Sequence, residues 1–390
     1  MSLFALRLGR RCGIGHLPRW RVGVATEKLR VSEAAESRDQ TLVGRDGRIL
    51  LMSCQRFVDE VVAGDACFVC GATPKDKPFN DEHIIPRWVL RRFGLFDKEI
   101  TLPTGERRHY RGYRVPCCVE CNSLLGDTVE TPVSQLLDGD FTDVARRLDE
   151  QALRLLFTWV SLLFFKVHLK DRSVRLHKDP RLGLEVVGDA YDWGDMHHLH
   201  AVARSPYTKA SLLPEAIGSF QVFEITGELT RDGWDYLDFT FDQTVIVRVG
   251  KIGIVATLND STAAESAWSD RLDVIDGPIS ELQLREVGAM FALANRNLVE
   301  RPVFSTLVYD KSIVMIAGQR PPLQLKDFDP QAFGEALLFA VRNYVDAKAI
   351  TVDGTREPER VAAAIATGHV RFLTLNGEFI RPVVHRDGAA

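Results

Sequence analysis

Two cysteine pairs, each with two intervening residues, are the first feature of this sequence that could do chemistry. Cys67 and Cys70 form the first pair and are followed by Gly71, while Cys118 and Cys121 form the second. Two-residue spacing lets both sulfurs of a pair reach one ion, and a glycine permits the tight turn of a zinc knuckle. The pattern predicts one structural zinc site of four thiolates, closed because no coordination position stays open.

The cysteine count bears on the ligand set and on the cellular compartment. One alternative is that these cysteines are inert buried residues. Another is that Cys117 replaces Cys118 as a ligand, although its spacing to Cys121 is less suitable. Of seven cysteines, five lie in one short window, and no secretory signal is evident. An odd, clustered set favours thiolates that bind metal over disulfides, so we expect a reducing, cytoplasmic environment.

An acidic residue followed directly by a histidine lies between the two cysteine pairs. Glu82 and His83 stand in an extended apolar segment that Pro86 closes. Successive side chains of a strand point to opposite faces, so one of the two can face a metal ion and the other a water molecule. Alone, such a pair would be interpreted as a solvated strand end, but its position between two zinc knuckles favours a functional site.

In combination, these elements resemble the HNH endonuclease family, the ββα-metal nucleases. The resemblance covers residues 67–130, about a sixth of the chain, and is fairly specific because separate elements occur in the family's order. Those elements are Cys67-x2-Cys70, then Glu82-His83-Ile84-Ile85-Pro86, then Cys118-x2-Cys121 and Asn122.

The resemblance implies a metal-dependent endonuclease that hydrolyses phosphodiester bonds, with DNA favoured over RNA as the substrate. It gives His83 the role of general base, which a neutral imidazole can fill near pH 7. It gives Glu82 and Asn122 the role of ligands to one catalytic divalent ion. Carboxylate and amide oxygens suit Mg²⁺ or Mn²⁺ better than a soft metal.

The sequence departs from the family pattern in ways that leave a second interpretation open. The family has an asparagine that orients the catalytic histidine, whereas no asparagine lies between Asn80 and Asn122. The last metal ligand is often histidine in the family, and here it is Asn122. His109, a backbone carbonyl or a remote residue could replace the missing asparagine. The alternative is a non-catalytic zinc module that binds nucleic acid or a protein.

The segment between the two halves of this module is basic. Residues 87–114 contain eight Arg or Lys residues and three acidic ones, for a net charge of +5. The whole chain has a net charge of −4, so nucleic-acid binding would have to use this local patch. A solvated basic strand is the alternative, but arginine and tyrosine together suit phosphate contact and base stacking. The predicted nucleic-acid-binding residues are Arg87, Arg107, Arg108, Tyr110, Arg111 and Arg114.

Two further segments have simpler explanations. His197, His198 and His200 could bind a transition metal, but solvated or core histidines explain them more simply. The apolar run Leu155–Phe165 is too short to cross a bilayer, which needs about 20 residues, so we interpret it as part of a core helix and expect no membrane partner.

The N-terminal residues 1–50 are expected to be a poorly ordered extension. The first 25 residues contain five arginines and no acidic residue, which resembles an organellar transit peptide. The alternative that we favour is an upstream translation of a reading frame that starts at Met52.

The remaining sequence predicts an α+β fold with two structured parts. Residues 52–145 form the HNH-like zinc module. Residues 148–390 form a larger α+β domain with an antiparallel sheet, whose role the sequence leaves open and which would supply target choice, a partner surface or homodimer contacts. The predicted strands are Phe220–Thr226, Tyr236–Phe241, Thr244–Val249, Ile252–Leu258, Val303–Tyr309 and Ser312–Ile316, with a terminal hairpin at Phe372–Leu375 and Glu378–Val384. The predicted helices begin near Leu153, Ile279, Pro330 and Glu357.

Overall fold

The fold is known from a computed structural model that describes residues 40–102, 107–175, 177, 179, 181, 183–227 and 233–382. The predictions for residues 1–39 and for Val383–Val384 lie outside the described residues. Within the described ranges, helices are mixed with small, mainly antiparallel sheets. The predicted α+β class is therefore confirmed.

The first described elements form a short hairpin of β1 (Leu42–Val43) and β2 (Ile49–Leu51). Leu50 and Leu51 are buried against Val308 and Val314 from the C-terminal half. This part of the chain is ordered by tertiary packing, whereas the sequence leads us to expect poor order up to residue 50.

The predicted metal module is a strand hairpin followed by a helix. Strand β3 (Phe79–His83) pairs in antiparallel fashion with β6 (Arg114–Cys118), and α3 (Val119–Leu125) begins directly after β6. The other elements of this region are α1 (Cys54–Arg56), which continues as a π-helical segment over Phe57–Val62, α2 (Arg87–Arg92), β4 (Glu99–Thr101) and β5 (Arg107–His109).

A widened helical turn follows α3. The chain continues through a π-helical segment, Gly126–Glu130, into α4 (Thr131–Leu136), and the Thr131 N–H donates to the carbonyl of Gly126. Pro132 lacks an N–H, and its ring would clash with the carbonyl four residues earlier in a regular helix, so the wider turn accommodates it. The widened turn ends at Glu130, whose side chain enters the site described below.

Helix α6 (Glu150–Asp171) is the central helix of the structure and follows the short α5 (Phe141–Arg147). Asp149 is its N-cap residue, and the Asp149 carboxylate accepts from the N–H of Ala152. By length and hydropathy α6 would be able to cross a membrane, but 78% of its apolar window is buried inside the protein. The apolar run is thus part of a core helix, as predicted.

The C-terminal half contains two sheets covered by helices. The first sheet has the order β8-β11-β10-β9 and the second has the order β12-β13-β7. Most predicted elements are present with shifts of a few residues. The elements are α7 (His197–Ala203), α8 (Ser205–Thr208), β7 (Ser211–Leu212), β8 (Phe220–Glu224), β9 (Trp234–Phe239), β10 (Thr244–Val249), β11 (Ile252–Thr257), α9 (Ala263–Ala267), α10 (Ser269–Asp273), α11 (Glu281–Arg296), β12 (Val303–Tyr309), β13 (Ile313–Gln319), α12 (Pro330–Asp346), α13 (Pro358–Ala366), β14 (Thr374–Leu375) and β15 (Glu378–Phe379).

The larger hydrophobic core joins the predicted metal module to the C-terminal half. It is one contiguous cluster that extends from Met52 through α6 to Ile316. Apolar side chains of residues 52–145 are buried in the same cluster as those of α6 and α7. A second core lies between the first sheet and the helices α11, α12 and α13.

Helix α7 binds the backbone of the first cysteine knuckle. The Nε2 atom of His200 lies 2.7 Å from the carbonyl oxygen of Phe68. The buried guanidinium of Arg204 donates to the carbonyls of Val69, at 2.5 Å, and Ile49, at 2.6 Å. Of the three histidines of α7, His200 is a buried core residue, while His197 and His198 are half-buried.

We predict that Arg204→Met destabilises the knuckle. The substitution leaves the buried carbonyl of Val69 without this donor, at a cost of about 1–3 kcal/mol, and also removes the donor to the half-buried Ile49. Urea unfolding should show a lower free energy of unfolding, and a chelator should remove the metal faster. Arg342→Met, at an exposed ion pair with Asp346 on α12, is the control. It should change neither the free energy of unfolding nor the rate of metal removal. Equal behaviour of the two variants would contradict a role for Arg204 in holding the knuckle.

Candidate metal centre and the adjoining polar site

Four cysteines converge on one buried point. Cys67, Cys70, Cys118 and Cys121 are all buried, and their sulfur atoms lie within 4.8 Å of one another. Cys67 and Cys70 come from the loop before β3, Cys118 ends β6, and Cys121 lies in α3. A buried set of four sulfurs can hold a metal ion such as zinc, and thiolate ligands in a closed tetrahedral set are typical of structural zinc.

The first knuckle has the backbone geometry that this ligand set needs. The N–H of Gly71 donates to the carbonyl of Cys67, which closes a tight turn. Gly71 has a φ of +77°, and an added Cβ would lie 2.9 Å from the Cε atom of Met52. Glycine is therefore required here both for the left-handed conformation and for the close packing.

Cys117 is a fifth sulfur next to the four. Its Sγ lies 3.7 Å from that of Cys67, although it does not belong to the group of four that converge. Hydrogen bonds from Cys117, Cys121 and Cys70 lower the pKa of Cys67 below its ordinary value. The geometry selects Cys118 as the ligand and places Cys117 beside the site.

We predict that Cys118→Ser loses the metal and unfolds the module, because metal binding supplies much of the folding free energy of such a site. Cys117→Ser, at the adjacent buried position, is the matched control and should keep one equivalent of zinc. Zinc content by atomic absorption and the melting temperature report the two effects. Loss of zinc from Cys117→Ser with retention in Cys118→Ser would show that the ligand assignment is wrong.

The carboxylate of Glu82 points to an internal lysine. Glu82 is 6% exposed, and its Oε1 accepts from the Nζ of Lys166 at 2.8 Å. The same ammonium donates to the carbonyl of His83 at 2.8 Å and to Oε1 of Glu130 at 3.3 Å. We call these four residues, Glu82, His83, Glu130 and Lys166, the ammonium pocket.

Burial and charge act in opposite directions within this pocket. Burial would lower the pKa of Lys166, but the charges of Glu82 and Glu130 outweigh it and raise that pKa. Burial raises the pKa of Glu130 to about 7, which the charge of Lys166 partly offsets. The ammonium is thus held in its charged form chiefly by the charge of Glu82, with Glu130 as a second partner.

The imidazole of His83 is buried and neutral. His83 is 8% exposed, and its Nε2 atom has no hydrogen-bond partner among the described residues. Burial, with a further contribution from the charge of Arg114, lowers its pKa to about 4. A neutral imidazole with an unpaired nitrogen can accept a proton, but a reactant has to reach it.

Asn122 lies on α3 and contacts the hairpin at Asn80. The Nδ2 of Asn122 donates to Oδ1 of Asn80 at 2.8 Å. Asn80 lies two residues before Glu82 on β3, so the two side chains share one face of the strand. By its contact with Asn80, Asn122 thus lies at the face of β3 that carries Glu82.

The expected catalytic divalent ion does not fit this arrangement as it stands. Oε1 of Glu82 accepts from Lys166, and Asn122 contacts Asn80 through its amide nitrogen, not through the oxygen that a cation would bind. Among the described residues, the four cysteines are the one group of three or more His, Cys, Asp or Glu ligand atoms that converges. The oxygen atoms that would suit a hard cation already surround an ammonium.

The predicted nucleic-acid-binding residues lie mostly on the surface of the insert. Arg87, Arg107, Arg108 and Arg111 are exposed, whereas Tyr110 and Arg114 are half-buried. Arg107 pairs with Glu99 at 3.7 Å, and Arg111 with Asp97 at 3.0 Å. Such exposed ion pairs contribute little and leave the arginines available for phosphate. The β4–β5 loop, residues 103–106, lies outside the described residues.

Sequence reasoning missed Lys166 and Glu130. A lysine inside an otherwise apolar helix is a usable signal, because a buried lysine needs an acidic partner. No spacing rule connects residues 82, 130 and 166, so the partners could not be chosen without the fold.

Comparisons of this chain with protein families, with curated proteins and with solved structures find no match. The HNH resemblance therefore depends on the motif residues and on the ββα order of β3, β6 and α3.

Proposed function

We propose that the module formed by β3, β6 and α3 is an HNH-type nuclease site that hydrolyses phosphodiester bonds, with His83 as the general base. The observation that carries this proposal is the antiparallel register of the hairpin on the four-cysteine cluster. That register places Phe79 opposite Cys118 and His83 opposite Arg114. The metal-binding end and the histidine thus occupy the two ends of one rigid hairpin.

The charges around His83 suit a phosphodiester substrate. Arg114, Arg87 and Lys166 all act on the imidazole electrostatically. Fixed cations next to a general base attract a phosphate and stabilise the charge that develops on its oxygens. Because Nε2 of His83 is buried, the proposal requires that substrate binding opens a path to this atom.

We predict that the native protein cuts plasmid DNA or RNA in the presence of Mg²⁺ or Mn²⁺ and that His83→Ala does not. Loss of a general base typically lowers the rate by about 10²–10⁴-fold. The control is His369→Ala, at an exposed histidine of the C-terminal half, which should cut at the native rate. Zinc content should be unchanged in both variants. Equal cutting by all three proteins would point to a contaminant or a different site.

The second candidate is a zinc module that binds nucleic acid without cutting it. The specific observation in its favour is the ammonium pocket, because Lys166 already neutralises Glu82. This candidate predicts binding by the native protein and no difference between native and His83→Ala in any cleavage assay.

We predict that Arg107→Ala/Arg111→Ala weakens nucleic-acid binding without changing zinc content. Each lost phosphate contact should lower the slope of log affinity against log salt by about 0.9 for duplex DNA. Fluorescence anisotropy on duplex and single-stranded oligonucleotides measures both the affinity and the slope. Arg342→Ala/Arg360→Ala removes the same charge from exposed positions on α12 and α13 and is the control. If both double variants lose the same affinity, only overall charge matters and the insert is not the binding surface.

A further inference from the structure

The ammonium of Lys166 is fully coordinated inside the protein. Lys166 is 1% exposed, and its three N–H groups face three acceptors: Glu82 Oε1, the His83 carbonyl and Glu130 Oε1. An ammonium has three donors and no acceptor, so no further partner is needed. The three acceptors come from β3 and from the widened turn after α3, while the lysine comes from α6.

The acceptor set has the chemistry of a hard-cation site. Two carboxylate oxygens and one carbonyl oxygen are ligands that Mg²⁺ and Mn²⁺ prefer. Here they surround a side-chain cation that the chain itself provides. Unpaired carboxylates are costly to bury, and here the ammonium of Lys166 supplies the charge that balances them.

We propose that Lys166 is the resident cation of this site, with its ammonium taking the place beside Glu82 that the HNH resemblance gives to a divalent metal ion. The proposal rests on the proposed function in that it concerns the same site. It implies that Glu82 is a partner of Lys166 in the native protein and that the pocket accepts a divalent ion only when the lysine is removed. A divalent ion that cleavage requires would then bind with the substrate phosphate, outside this pocket.

The position of Lys166 on α6 supports this inference over a purely packing role. Its neighbours Phe164, Phe165 and Val167 fill the apolar core, which a methionine or leucine at position 166 could equally fill. A charge at this depth is stabilising only through its partners. The lysine also contacts the backbone carbonyl of His83, so it fixes the strand end on which the proposed general base stands.

The first test compares Mn²⁺ binding to the native, zinc-loaded protein and to Glu82→Gln, by electron paramagnetic resonance without nucleic acid. Glu82→Gln keeps the size of the side chain and one acceptor oxygen, and Glu130 remains as a counter-charge to Lys166. The expected result is the same Mn²⁺ affinity in both proteins, within about twofold, which is a small free-energy difference. A Mn²⁺ site that is present in the native protein and lost in Glu82→Gln would overturn the proposal.

The second test opens the pocket. Lys166→Ala should gain one Mn²⁺ site that is at least about tenfold tighter than any in the native protein, and Lys166→Ala/Glu130→Gln should lose it again. Lys170→Ala, one turn later on α6, is the matched control and should gain none. Retained zinc and a cooperative melting transition show that a variant is folded. A folded Lys166→Ala protein without the new site would also overturn the proposal.

If Lys166→Ala does not fold, the comparison of native protein with Glu82→Gln decides the question by itself. Because both tests measure Mn²⁺ without nucleic acid, their outcome is independent of whether the native protein cuts. Failure of the nuclease proposal would appear only in the His83→Ala cleavage assay.

Discussion

The convergence of four buried sulfurs is the constraint on which the rest of this structure depends. Cys67 and Cys70 precede β3, while Cys118 and Cys121 follow the basic insert, so one metal ion would tie the two ends of that segment together. Fixing both ends sets the antiparallel register of β3 and β6. It also sets the point at which α3 leaves the sheet and the widened turn by which Glu130 reaches the interior. Ordering this hairpin costs conformational entropy, and its small apolar surface is not enough to offset that cost. A metal ion bound here would supply the missing stabilisation.

The module is also held from outside by side chains of α6 and α7. His200 and Arg204 bind carbonyls of the first knuckle, and Lys166 binds the carbonyl at the end of β3. These are buried polar contacts, and each is satisfied only when the helices dock on the module in one orientation. The metal centre and the C-terminal half are therefore parts of one packed unit around α6 and not two independent bodies joined by a linker.

The site next to the metal centre combines a neutral histidine with a surplus of positive charge. The imidazole of His83 has a lowered pKa because it is buried and close to Arg114. An internal ammonium balances the acidic residue next to it. This is the electrostatic environment that the proposed phosphodiester substrate would meet. Under the proposed nuclease function, Lys166 would also stand in for the orienting asparagine that the family has and this sequence lacks. The lysine contact to the His83 carbonyl fixes the strand end instead.

The sequence by itself determined the local features: the cysteine spacing, the strand with Glu82 and His83, the helix that begins at Pro330 and most of the C-terminal strands. Each of these follows from backbone geometry or from hydrophobic periodicity over a few residues. The tertiary structure alone decided which cysteine faces the ion, and which partners surround Glu82. Lys166 and Glu130 are far from Glu82 along the chain, and only the packing of α6 on the hairpin brings their charges together. Long-range pairing of buried charges depends on the whole fold, so it cannot be predicted from a short sequence pattern.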